Sequence, residues 1–478
     1  MTEPCDLSAV EARRLIAEKL LSPVELVDSA VKRIERVNGA VNAVVATDFD
    51  RARATAREAE KAVTAGKPLG LLHGLPVGVK DLEATENLRT TYGSKLYDDH
   101  VPVADQGSVA RVRAAGGIVL AKTNTPEFGA GANTRNLVYG ATGNAFDPVK
   151  TCGGSSGGSA VSLACGMVSL ATGSDYGGSL RTPAGFSGVV GFRPSPGLVP
   201  AEGRAVGLNP YSVLGPMGRS VADAHLLLSA QVAHDARDPF SAPLDPALTV
   251  PLAPADLSSL RVAFSEDLGV APVSKDIREI FRQRTAMFRH VFAKAQDRDP
   301  GIGEGAHQVF EITRGVNFVA AHHDRVNLHA DELSPNVVDN TSRGMEVTAK
   351  EMGWALVEQA NIRRRYISLF DDIDVLICPI AAVTPFPHEI WYVDIIDGQA
   401  MSTYMRWLAL SYALTVATPP VVALPCGVDH LGMPFGIQVA GKPGDDRRVL
   451  EIAHALERVL QAAPPTARPV PDLDELEG

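Results

Sequence analysis

The reactive groups that stand out in this sequence are two serines in glycine-rich surroundings. The stretch "TCGGSSGGSAVSLACGMVSLATGSDYGGSLRTPAG", Thr151 to Gly185, holds two glycine-serine clusters joined by a helix-like run of small and apolar residues. Ser155 lies in the first cluster and Ser179 in the second, and the stretch contains no histidine. A serine hydroxyl is a weak nucleophile until a neighbouring base takes its proton. The chemistry therefore turns on what replaces an imidazole.

Three readings compete for "CGGSSGG". A phosphate loop would wrap backbone N–H groups round an anion, but it needs a Lys followed by Ser or Thr after the glycines, and here the run ends "GGSAV". A nucleophile elbow matches Gly153, Gly154, Ser155, Ser156 and Gly157 as G-x-S-x-G, the turn of an α/β-hydrolase-type esterase. That turn needs an apolar strand before it, which "AFDPVKTC" is not, and a downstream Asp and His. His225, His234, His290 and His307 are present, none in a distinctive setting.

The third reading uses both clusters and a lysine. The sequence resembles the amidase signature family, whose unit is Ser, cis-Ser and Lys. The resemblance rests on "GLPVGVKD" with Lys80, "AKTNTPEFGAG", "GGSSGGSA" and "GSDYGGSLRTPAGFSGVVGFRPSPG", and runs on through "GPMGRSVADAHLLL" and "PPVVALPCGVDHLGMPFGIQVAGKP". Ser155 and Ser179 stand 24 residues apart, the family's spacing. Carried over by position, Ser179 is the nucleophile, Ser155 the bridging serine on a cis peptide, and Lys80 the base. The backbone N–H groups of Tyr176, Gly177, Gly178 and Ser179 form an oxyanion hole, which needs a backbone free of Cβ clashes. Burial of Lys80 in "LPVGVK" would disfavour its charge and lower its pKa, so that a neutral amine relays the proton from Ser179 through Ser155.

The resemblance also assigns supporting roles. Asp175 and Arg181 bracket the second cluster at positions that fix the loop, where the alternative is an ordinary surface ion pair. Ser174 matches a position that hydrogen-bonds the bridging serine, and Ser156 reads as a loop-stabilising hydroxyl. Gly129 in "EFGAG" falls where the substrate channel is lined, although a turn glycine explains it too. Cys152 reads as a small loop residue, because no base is identifiable for it. His322 and His329 in "AHHDRVNLHA" lack a third ligand, so no metal is expected. Tyr404, Trp407 and Tyr412 in "STYMRWLALSYAL" read as core packing.

Positioning such residues calls for alternating strands and helices. "SPVELVDSAVKRIERVN" offers Ser22 as N-cap, Pro23 in the first turn, Glu25 at the capping-box position and the stripe Val27, Val31, Ile34 and Val37. A strand-like "AVNAVVAT" follows, then a charged helix from about Asp50 to Thr64. The segments around Lys80, "GGIVLAKTNTPEF", "RVAFSEDLG" and "DVLICPIAAVTPFP" carry strand signals, and together the pattern is α/β. Residues 239–370 read as a variable helical insertion, with "DIREIFRQRTAMFRHVFAKA" and "VEQANIRRRYISLF" as helices. The resemblance implies a single α/β/α domain over residues 1–478, a large mixed twisted sheet covered by helices.

The chain has 478 residues, 45% hydrophobic and 21% charged, with a net charge of -11. Extended contact with nucleic acid or anionic membranes needs clustered Lys and Arg, and no such block occurs. No apolar run reaches the roughly 18 residues a bilayer span requires, and "MTEPCDLSAVEARRL" does not resemble a secretory leader. Cys5, Cys152, Cys165, Cys378 and Cys426 are scattered, as in a cytoplasmic protein without structural zinc. The expected activity is hydrolysis of an amide, anilide or carbamate C–N bond of a small substrate, with neither metal nor organic cofactor, by a monomer or a homodimer. The competing expectation is an amidotransferase A-type subunit that releases ammonia from glutamine for a partner.

Overall fold

Ser22 caps the helix Pro23–Val41 through a capping box with Glu25, and the helix ends at Asn42 in the left-handed conformation. Asp48 caps the next helix, Phe49–Thr64, by accepting from the Arg51 N–H. Both bury one apolar face, as their residue periodicity requires. The computed structural model to which they belong describes residues 3–477; Met1 and Thr2 of the N-terminal stretch read above lie outside it.

The helices cover one 11-stranded mixed sheet. In chain order its strands are β1 (Val44–Thr47), β2 (Pro76–Lys80), β3 (Ile118–Thr123), β4 (Leu170–Asp175), β5 (Val190–Arg193), β6 (Val213–Gly218), β7 (Arg261–Phe264), β8 (Lys294–Asp297), β9 (Val375–Pro379), β10 (Val421–Val428) and β11 (Pro434–Ala440). Across the sheet they run β1-β3-β2-β4-β6-β5-β10-β11-β9-β7-β8. β2 is parallel to both β3 and β4. From β4 through β6, β5, β10 and β11 to β9 each neighbour is antiparallel. β7 is parallel to β9 and β8. Every residue of β2, β3, β9 and β11 is buried, as expected of strands covered on both faces.

Residues 239–370, read as a helical insertion, hold strands as well as helices. They contain the helices Lys275–Ala286, Gly305–His329, Pro335–Met345 and Ala349–Leu369, but also β7 and β8, which extend the sheet to its edge. The helix expected over "DIREIFRQRTAMFRHVFAKA" stops at Ala286 because Phe288 and Phe292 both pack on Phe264, with ring centres 6.2 Å away. The chain beyond them pairs as β8. Tertiary packing of three aromatic rings overrides local helical propensity here.

Each serine cluster opens a helix that is wholly buried. Ser156 precedes Gly157–Ala164, and Leu180 precedes Arg181–Ser187. The first helix packs on β4 and on the second helix. The two clusters are thereby held together at the end of β4.

Candidate active site

Lys80 ends β2 and is fully buried. Its Nζ lies 2.7 Å from Ser155 Oγ, 2.8 Å from Ser156 Oγ and 3.0 Å from Ser174 Oγ. Burial pushes its pKa down from 10.5 to about 7, against the opposing pull of Glu83 and Asp175. A neutral amine has two protons to give and one lone pair that must accept. The Ser156 hydroxyl donates to the Ser174 carbonyl at 3.3 Å, so it accepts from Nζ. The lone pair is left to Ser155 or Ser174, of which Ser155 is the nearer. Ser174 differs from expectation: its hydroxyl meets Lys80 rather than Ser155, because β4 runs beside β2 and brings it to the amine.

Ser155 follows a cis Gly154–Ser155 peptide and is 2% exposed. The next N–H, that of Ser156, donates to the Ser179 carbonyl at 3.2 Å and ties the two clusters. Gly129 stands against this site with φ +72°, and a Cβ there would come within 3.0 Å of Leu82 Cδ1 and 3.3 Å of Ser155 Oγ. The turn glycine therefore also stands at the cavity of this site.

Asp175 organises the second loop. Its carboxylate accepts from the Gly178 N–H at 2.9 Å, the Leu180 N–H at 3.1 Å, Arg181 Nε at 3.0 Å and Arg193 Nη1 at 2.9 Å. Burial alone would raise its pKa, but the guanidinium groups of Arg181 and Arg193 hold it well below the usual carboxylate range. The alternative of a surface ion pair fails, since both Asp175 and Arg181 side chains are inaccessible. Arg193, in the quoted "GFRPSPG", escaped sequence reasoning because nothing in its local setting marks it as a second cation on Asp175.

The Gly178 N–H, expected in the oxyanion hole, is thus committed to Asp175. Gly178 is still required in place, with φ +129° and a Cβ position 2.6 Å from Ser411 Cβ. The N–H groups of Tyr176, Gly177 and Ser179 donate to no protein acceptor among the described residues.

Gly129, Gly154, Gly177, Gly178 and Ser179 line a small cavity. Beside Gly131 and Ala132, the larger side chains of its wall are Phe310, Arg314, Tyr404, Met405 and Leu408. None of these five was singled out as a wall residue from sequence. Phe310 and Arg314 belong to the segment read as an insertion, and Tyr404 to the run read as core. Tyr412 does pack as core, stacked on Phe310 at 4.5 Å, and Trp407 is buried.

The competing candidates fall elsewhere. The G-x-S-x-G run follows Asp147–Thr151, a partly exposed strand of a two-stranded ribbon with Gly143–Asn144 rather than of the main sheet. No histidine lines the cavity. His225 Nε2 faces the Leu248 carbonyl at 3.0 Å, His307 Nδ1 meets the Tyr412 hydroxyl at 2.6 Å, and His234 and His290 are exposed. Burial raises the Cys152 thiol to about 12, and its Sγ lies within 3.6 Å of the backbone carbonyls of Thr142 and Gly153. His322 packs against Phe128 and Phe318, whereas exposed His329 meets Glu332. Among the described residues no group of three or more His, Cys, Asp or Glu side chains is placed to hold a metal ion. Among the described residues no helix is long and apolar enough to cross a membrane.

Known proteins resemble this chain over most of its length. Residues 25–450 match the Amidase family. An acylamidase of Rhodococcus erythropolis is 30% identical, the match covering 95% of this chain and 95% of the relative. The A-type subunit of a glutamyl-tRNA(Gln) amidotransferase from Anaeromyxobacter is 31% identical, covering 98% and 99%. Among solved structures, a bacterial aryl acylamidase described as an amidase signature enzyme superposes with a TM-score of 0.88 at 26% identity, covering 96% of each chain.

Proposed function

The chain belongs to the amidase family, an amidohydrolase by that membership, and from this premise we propose that it cleaves a carboxamide, anilide or carbamate C–N bond through an acyl-enzyme on Ser179. The observation that carries this reading is the buried Lys80 amine at 2.7 Å from Ser155 Oγ, beside a cavity lined by Ser179.

Neutral Lys80 accepts the Ser155 proton while Ser155 Oγ takes the Ser179 proton. Ser179 Oγ then bonds to the substrate carbonyl carbon, and the carbonyl π pair moves onto oxygen. The N–H groups of Tyr176, Gly177 and Ser179 stabilise that oxyanion, with Gly178 contributing by anchoring the loop to Asp175. Collapse breaks the C–N bond, and the departing nitrogen takes back the proton held by Lys80, by way of Ser155. Water, deprotonated by the same relay, attacks the ester and frees Ser179. Ser156 and Ser174 orient the Lys80 amine throughout, and Arg181 and Arg193 keep Asp175 ionised.

The acylamidase likeness favours a stand-alone hydrolase of small amides. The amidotransferase relatives favour a second reading, in which the same site frees ammonia from glutamine for a partner's substrate. Purified protein assayed on para-nitroanilides, aliphatic amides, carbamates and glutamine separates them. Turnover of anilides by the isolated chain supports the first; activity confined to glutamine, with a partner protein co-purifying, supports the other. The five free, buried cysteines support a reducing, cytoplasmic setting.

A further inference from the structure

Arg314 is a buried cation without a counter-charge. It sits on the helix Gly305–His329, is 6% exposed, and lines the cavity that holds Ser179. Its Nε donates to Asn340 Oδ1 at 3.0 Å and its Nη2 to the Tyr404 hydroxyl at 2.9 Å. The guanidinium carbon lies 4.6 Å from the Phe318 ring centre and 5.4 Å from that of Tyr176. All of these partners are neutral. Glu311, one turn back on the same helix, faces Arg406 at 3.6 Å instead. Arg314 forms no ion pair among the described residues, and its Nη1 has no hydrogen-bond partner among them.

A buried charge is costly unless paired, and a guanidinium pairs best with a carboxylate, which accepts two parallel N–H groups. The substrate is the remaining source of one. Resting on the amidase reading of the site, we propose that Arg314 is a specificity residue that binds a carboxylate carried by the substrate, so that the preferred substrates are monoanionic amides or anilides. The rest of the wall supports the single charge. Phe310, Met405 and Leu408 are apolar, and no Asp or Glu lines the cavity, so the ammonium of a zwitterion such as glutamine finds no partner there.

The test compares the 4-nitroanilide of glutaric acid, whose far carboxylate is free, with its methyl ester. For the wild type the acid should exceed the ester in kcat/KM on the order of 10- to 100-fold, the worth of one charge-assisted hydrogen-bonded contact. Arg314→Gln should abolish the advantage of the acid over the ester, and Arg314→Lys should restore part of that preference. Labelling of Ser179 by a fluorophosphonate in each variant shows that the site is intact. Glutarate should also inhibit the wild type competitively, a readout that depends on no variant. A wild type indifferent to the carboxylate, or acid and ester falling together in Arg314→Gln while labelling persists, would overturn the inference alone. Absence of both turnover and Ser179 labelling in the wild type would overturn the amidase reading, and this inference with it.

Discussion

Lys80 Nζ and Ser155 Oγ, 75 residues apart in the chain, meet at 2.7 Å in the protein interior, with Ser156 and Ser174 as the only other hydrogen-bond partners of the amine among the described residues. No carboxylate pairs with it, so nothing but the more distant charges of Glu83 and Asp175 opposes the loss of its proton. Lys80→Arg should therefore lower kcat by roughly 10²–10⁴-fold, since a guanidinium stays protonated and general-base catalysis contributes that much. Steady-state kinetics on an anilide checks it, and near-normal turnover by Lys80→Arg would reduce Lys80 to a fixed positive charge.

Ser179→Ala should abolish both turnover and labelling by a serine-directed fluorophosphonate, because both need the same oxygen. Ser155→Ala should slow labelling without moving it. Peptide mapping after labelling decides the matter: a label on Ser155 that survives in Ser179→Ala would transfer the nucleophile to the first cluster.

Asp175→Asn should destabilise the fold by about 3–5 kcal/mol, the usual consequence of removing one partner from a buried ion pair. Two guanidinium groups, Arg181 and Arg193, would lose their shared anion. The sign with pH follows from the lowered pKa of Asp175. The unfolded chain takes up the proton first, so the stabilisation is present above the ordinary value of 3.8 and is lost as the pH falls below it toward the folded-state value. Urea denaturation at neutral and acid pH measures both effects, and a wild-type advantage over Asp175→Asn that persists unchanged at the acid end would contradict the assignment.

Gly178→Ala should cost about 1–3 kcal/mol in backbone strain, and its methyl group would lie 2.6 Å from Ser411 Cβ. Relief would pull the Gly178 N–H from Asp175 and misplace the adjoining Gly177 and Ser179 donors. The loss should appear in kcat more than in KM, because the oxyanion exists only after attack. A variant altered in KM alone would speak against an oxyanion role for this loop.

How far the sequence was readable divides along the range of the interactions. Ser22, Pro23 and Glu25 announced a helix through contacts within one turn, and the helix formed as read. The residues around Lys80, Ser155 and Ser179 were legible because glycine, serine and lysine occur there in combinations that few other structural needs explain. Arg193, Phe310 and Arg314 were not, since each reaches the site from a distant element and looks locally like any arginine or phenylalanine of a strand or helix. The same limit explains β8: the helix-like "AMFRHVFAKA" gives way to a strand from Lys294 onward because Phe288 and Phe292 are drawn to Phe264 and Lys294 pairs with Arg261. Gly178 shows the limit at a single atom, because a motif places a residue in a loop without saying which acceptor its N–H will meet.

The proton relay from Ser179 through Ser155 to a neutral Lys80 is tested most directly by the pH dependence of Ser179 phosphonylation, followed by intact-protein mass spectrometry. The reaction needs no substrate identity and reports the nucleophile alone. With the Lys80 pKa at about 7, the rate should be low in acid, rise through that pH as Lys80 loses its proton, and level off above it. In Lys80→Arg the rise should vanish and the rate stay low throughout. A wild-type rate flat from acid to alkaline pH, or a Lys80→Arg protein labelled as fast as the wild type, would contradict the account.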